Sequence, residues 1–265
     1  PFFRKLNSPS VYEYLEKRFN ISIRIFGSTS FILFQLARMG IVIYLPALAL
    51  STTIGIDIYF AIIVMGALAV LYTYMGGIEA VIWTDVIQVT VLFLGLVVGL
   101  VYIAIEIGDV KYIINSAIED NKLQMIDLRF SYTEVVTWSL FFGSFALNFV
   151  SYTTDQSIIQ RFMTTSNERE AKKSIWLNGI ITIPLGLLIF GMGTFLYVYF
   201  KEYPEFLVIG MQNDSIFPLF IKDHLPPGIG GLVIAGIFSA SMSSLDSSMH
   251  SISTVLTIDY YKRFY

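Results

Sequence analysis

Five stretches of this chain, 58–78, 86–105, 135–154, 174–200 and 225–245, run for 20 residues or more without a single Asp, Glu, Lys or Arg. A sixth, about 25–50, is broken by one charge, Arg38. Crossing a hydrocarbon layer takes about 20 mainly apolar helical residues, because each adds only ~1.5 Å and every backbone group must find its partner inside the span. Composition agrees, with 55% of the 265 residues hydrophobic and 14% charged, too few charges to wet the surface of a soluble protein. No run alternates as a membrane β-strand does, and such strands would be about half as long. The chain therefore reads as an all-α integral membrane protein with one membrane domain over 1–265. Its six transmembrane helices are expected at about 25–50, 56–78, 79–106, 133–154, 174–200 and 225–252.

Six spans put both ends on one side of the bilayer. That side carries eleven Lys and Arg, from Arg4 and Lys5 to Lys262 and Arg263, against five on the other, Lys111, Lys122, Arg129, Lys201 and Lys222. Basic residues collect in cytoplasmic loops, so both ends are expected in the cytoplasm, with the spans in the plasma (inner) membrane. Segments 10–19 and 155–173 read as amphipathic helices on the cytoplasmic face, and 109–133 as an outer loop holding one short helix. Met75-Gly76-Gly77 marks a turn between the second and third spans. The opening Pro1-Phe2-Phe3-Arg4-Lys5 resembles the exit of an earlier hydrophobic segment, so flanking helices of the same protein are expected to be missing.

Several chemistries are excluded by what the sequence lacks. There is no cysteine, hence no disulfide framework or thiolate centre, and no phosphate-binding loop of the G-x-x-x-x-G-K-S/T type. His224 and His250 have no second ligand at metal spacing, and neither can serve as the base of a serine hydrolase, so no enzyme is expected. A net charge of -3 without basic clusters excludes nucleic acid as a partner; the partners expected are the lipid bilayer and a small solute.

Ionised groups inside a span are costly and point to function. Asp85, in V-I-W-T-D-V-I-Q, reads either as an ion ligand or as an interfacial carboxylate hydrated from the cytoplasm. Arg38 lies roughly 18 Å along its helix from Leu50, too deep to snorkel fully, and either binds an anion or pairs with a carboxylate elsewhere. In the sixth span Ala240, Ser243, Ser244, Ser247 and Ser248 fall within an arc of about 140°. Such a hydroxyl face suits a hard cation such as sodium, and equally the close packing of small residues. Asp246 lies outside that arc and reads as a structural or peripheral carboxylate.

The ordered blocks V-Y-E-Y-L-E-K-R-F, I-V-I-Y-L-P-A-L-A-L, Y-T-Y-M-G-G-I-E-A-V-I-W-T-D-V-I-Q, D-Q-S-I-I-Q-R-F, L-P-P-G-I-G-G-L and T-I-D-Y-Y-K-R-F, with the serine-rich span, resemble the sodium/solute symporters. The resemblance covers essentially the whole chain and is strongest to bacterial sialic acid symporters. It implies ten core helices in two inverted five-helix repeats, of which this chain would supply the third to the eighth. It also implies sodium as the coupling ion. The Ala240 carbonyl with the Ser243 and Ser244 hydroxyls would form half of the main sodium site. Asp85, Ser243, Ser247 and Ser248 would form a second. Asn148 falls at a substrate-contacting asparagine, with an interhelical hydrogen bond as its other reading, and Arg38 at the arginine that binds the carboxylate of sialic acid. The substrate this implies is sialic acid; Asp246 departs from that pattern, so another organic anion or a neutral sugar stands as the alternative. A solute sensor fused to a signalling kinase and a purely structural subunit are the readings from other classes.

Overall fold

The structure is a computed structural model and describes residues 10–124, 126–207 and 213–265. The opening residues 1–5 discussed above lie outside them. All regular structure among the described residues is helical: α1 (Glu13–Arg18), α2 (Ile21–Ile54), α3 (Ile58–Ile107), α4 (Val110–Glu119), α5 (Thr137–Thr154), α6 (Gln156–Met163), α7 (Glu168–Glu202), α8 (Ile216–Asp223), α9 (Pro227–Val255) and α10 (Lys262–Phe264). A π-helical stretch, Leu256–Tyr261, joins the last two.

Among the described residues four helices are long and apolar enough to cross a membrane: Ile21–Ile54, Ile58–Ile107, Glu168–Glu202 and the continuous Pro227–Phe264. The 18-residue α5 is not one of them. Trp83, Trp176, Tyr74 and Phe190 point outward among many other large exposed apolar side chains. Such faces suit lipid rather than water.

As one straight helix, the 50 residues of α3 would reach about 75 Å, more than twice the thickness of a bilayer core. Gly77 breaks it, with φ 57° and ψ -153°, values that only glycine adopts readily. Its neighbour is constrained as well, since a Cβ on Gly76 would lie 2.2 Å from that of Ala80. The helix therefore has a first arm, 58–76, and a second arm, 78–107.

The chain divides into two compact units. One comprises the residues up to Ala37, 124–180 and Ser248–Tyr265. Its apolar nucleus is Tyr12, Phe31 and Val255, flanked by Leu15, Ile32 and Tyr260. Around it runs a charged network: Arg24, almost fully buried, donates to the buried Asp259 at 2.6 Å and to Glu16 at 2.5 Å. Asp259 also accepts from the Ser10 hydroxyl at 2.6 Å, and Arg263 binds Glu16 at 2.7 Å. A buried pair of this kind is held by its hydrogen bonds, and stranding either charge would cost about 3–5 kcal/mol.

The other unit comprises Arg38–Leu123 and Ile181–Ser247. Leu96, Ile103, Met192, Leu196, Tyr199, Phe220 and Val233 form its main core. The second arm of α3 and α9 approach backbone to backbone there. A Cβ on Gly95 would sit 3.2 Å from the Leu232 carbonyl oxygen, and one on Gly236 3.2 Å from the Leu92 Cα. Between lipid-embedded helices no hydrophobic gain is available, so contact of this closeness supplies much of the attraction.

Two predictions follow from these contacts. Gly95→Val should cost about 1–3 kcal/mol by overpacking, because the obstructing atoms are backbone. Gly231→Val, whose Cβ meets nothing within 4 Å, should cost little. Thermal unfolding in detergent separates the two. The second prediction concerns Glu16, whose carboxyl is lowered from 4.5 to about 2 by hydrogen bonds from Arg263 and Arg24. A depressed folded-state pKa gives stability that is complete above about 4.5 and lost as the pH falls toward 2. Unfolding temperatures followed down through that window should therefore fall less steeply in Glu16→Gln than in the parent.

Candidate functional site

Close packing of α3 on α9 carries Asp85, in the second arm, to the serine face of α9. Ser243 donates its hydroxyl to Asp85 Oδ1. One turn further along, Ser247 donates to the Ser243 carbonyl at 2.7 Å, and Ser244 donates to the Ala240 carbonyl at 3.3 Å. The half-buried Asp85 thus faces a helix surface whose polar atoms are hydroxyl and carbonyl oxygens. One carboxylate among neutral oxygens is a donor set for a hard cation of low charge, whereas calcium sites collect several carboxylates.

Asp246 belongs to the same turn of α9 and is fully buried, which of its two readings fits the structural carboxylate and not the peripheral one. Its Oδ1 accepts from the Tyr72 hydroxyl and, at 3.4 Å, from the Thr73 hydroxyl, both on the first arm of α3. The position of Asp246 outside the serine arc is what turns it toward that arm.

The remaining candidates are spread between the units. Ser248 and Asn148 belong to the first. The Ser248 hydroxyl donates to Gln35 Oε1 at 3.0 Å, and Gln35, fully buried, donates in turn to Asp155 at 3.5 Å. Asn148 is exposed on α5, where its Nδ2 donates to the Ser144 carbonyl of its own helix at 2.8 Å. It borders an open groove of about 540 Å³ along Thr137, Leu140, Phe141, Ser144 and Phe145. Arg38 belongs to the second unit and is half-buried. Among the described residues it makes no ion pair.

The sequence model of the sodium:solute symporter family matches residues 1–265. The chain belongs to the sodium:solute symporter family. Among curated members it is 38% identical to the sodium/sialic acid symporter NanT of Aliivibrio fischeri, over 99% of this chain and 52% of that protein. It is also 38% identical to the sodium/sialic acid symporter SiaT of Proteus mirabilis, over 99% and 53%. A solved structure described as the substrate-bound outward-open state of a Na+-coupled sialic acid symporter with a novel Na+ site superposes with a TM-score of 0.94. It shares 38% identity and covers 100% of this chain and 56% of its own. The chain thus spans about half the length of the curated symporters it matches.

Tyr72, Thr73 and Gln35 were not singled out from the sequence. The first two stand in the block Y-T-Y-M-G-G, just ahead of the glycine break. A signal for them existed: a carboxylate one turn from Ser243 on a buried helix needs donors, and this block supplies two hydroxyls.

If the Asp85 face binds sodium, Asp85→Asn keeps the shape and removes the neutralising charge. In the full-length protein, sodium should then stabilise against heat only at about tenfold higher concentration, a loss of ~1.4 kcal/mol. Superimposable sodium titrations of parent and variant would remove Asp85 from the site.

Proposed function

We propose that the protein of which these residues are part is a sodium-coupled symporter that carries an organic solute across the inner (plasma) membrane. The solute proposed is sialic acid or another carboxylate-bearing molecule. The observation that carries this reading is the contact of Asp85 with the serine face of α9 through Ser243. An acidic group and a row of hydroxyls held together by glycine-mediated packing are suited to a monovalent cation.

In this reading the Ala240 carbonyl and the Ser243 and Ser244 hydroxyls supply half of a main sodium site, the rest coming from flanking helices outside these residues. Asp85, Ser243 and Ser247 supply a second. Ser248 is the fourth residue assigned to it, and its hydroxyl donates to Gln35 Oε1 at 3.0 Å. The six-span layout, with both ends cytoplasmic and two inverted repeats, belongs to the same proposal.

The substrate reading rests on Arg38. A half-buried guanidinium offers a planar fork to a carboxylate, and the bound acid would compensate for taking that charge out of water. Asn148, on the groove of α5, would contact the uncharged part of the solute. Relatives named as sodium/sialic acid symporters support this choice of acid.

Uptake of labelled sialic acid and of a panel of other acids and sugars by the full-length protein in liposomes, with and without sodium, tests the proposal. Uptake should require sodium. Arg38→Lys replaces a fork by a point charge and should weaken transport of the acid about tenfold or more at low solute concentration, with sodium-free stability retained. Sodium-independent uptake would overturn the symport reading, and unchanged affinity for every transported acid would overturn the role of Arg38.

A further inference from the structure

Gly77 gives α3 its break but cannot fix the angle of the break. Glycine has no side chain to lock against a neighbour, and its left-handed φ is as permissive as the backbone allows. The direction of the second arm, and with it the place of Asp85, must therefore be set by contacts elsewhere. One turn of α9 makes them on both sides of the break. Ser243 takes hold of the second arm at Asp85, and Asp246 takes hold of the first arm at Tyr72 and Thr73.

We propose that Asp246 is a positioning residue for the Asp85 cation site, bracing the two arms of α3 across the Gly77 break through Tyr72 and Thr73. This deepens the sodium-symport reading and rests on it. A fully buried side chain is costly to desolvate unless its oxygens are hydrogen-bonded, and here one oxygen accepts from two hydroxyls of the first arm. Asp246 thus joins the first arm to α9 more stiffly than a serine at that position would. The effect on the ion is indirect: with the brace in place, Asp85 and the Ser243–Ser247 turn are held at one separation, and cation binding does not have to order them first. The role of Asp246 in this scheme is that of an acceptor, and its charge is secondary.

The experiment is a sodium titration of thermal stability on the full-length protein in detergent, with choline replacing sodium at constant ionic strength. The variants are Tyr72→Phe, Asp246→Ala, Asp246→Asn and Asp85→Asn. Tyr72→Phe and Asp246→Ala should each raise the sodium concentration for half-maximal stabilisation about tenfold. Asp246→Asn, which keeps the shape and an accepting oxygen, should restore a curve close to the parent's. Tyr72→Phe is mild enough to carry the test alone should Asp246→Ala fail to fold. Asp246→Asn as impaired as Asp246→Ala would overturn the positioning role, since charge and not the brace would then be required. So would sodium curves for Tyr72→Phe and Asp246→Ala that match the parent while Asp85→Asn is shifted. A silent Asp85→Asn marks a different failure, that of the second cation site itself.

Discussion

The contact on which the candidate site depends is the backbone approach of α3 to α9 at Gly95 and Gly236. At both positions a single added carbon would meet main-chain atoms of the partner helix at 3.2 Å. Helices in lipid gain nothing from hiding apolar surface, so they adhere by fitting closely and by exchanging hydrogen bonds. The same pairing, followed along α3 from Gly95 through Leu92 toward Asp85, runs along α9 from Leu232 through Gly236 to Ser243. Packing and polar chemistry are thus successive stretches of one antiparallel contact, and the bond between Ser243 and Asp85 inherits its geometry from glycines several turns away.

Charge is used differently in the two units. In the first, Arg24, Asp259, Glu16 and Arg263 form pairs in which each charge meets its opposite. Such an arrangement fastens α1 to the start of α2, to the π-helical stretch and to α10, and has no need of a ligand. In the second, the hydroxyls of Ser243, Tyr72 and Thr73 donate to Asp85 and Asp246, while Asp120 pairs with Lys201 at the surface. A hydroxyl stabilises a carboxylate without carrying an opposite charge, which is what a face proposed for a mobile cation requires.

Much of this was legible because lipid makes the sequence code severe. Charge-free runs identified the long helices, and Gly76-Gly77 marked a break that no other pair of residues would tolerate. The serine face of α9 was readable from its 100° repeat, and Asp85 from the cost of its burial. What the sequence could not supply was contact across helices. Nothing in the spacing of Ser248 shows that its hydroxyl meets Gln35, because periodicity gives a residue's direction about its own helix and not what stands there. For Asp246 the wheel left a structural and a peripheral reading open, and only the partner helix decides between them, by placing Tyr72 there. The span expected at 133–154 is helical over Thr137–Thr154, and that helix buries none of its residues among the described ones.

A coupling ion has to leave as readily as it arrives, and this limits how acidic its site can be. At an effective dielectric of about 20, a unit charge about 4 Å from another is worth roughly 4 kcal/mol, so each added carboxylate deepens the site by several powers of ten in affinity before desolvation is counted. One carboxylate with neutral hydroxyls keeps a monovalent cation within a range from which it can dissociate. In the proposed site the Ser243 hydroxyl would serve both with and without a cation. By donating to Asp85 it satisfies the half-buried carboxylate, and by rotating it would turn its lone pairs toward an entering cation. A donor that becomes a ligand by rotating one bond lets the filled and empty sites remain close in free energy, which is the condition for binding and release to alternate.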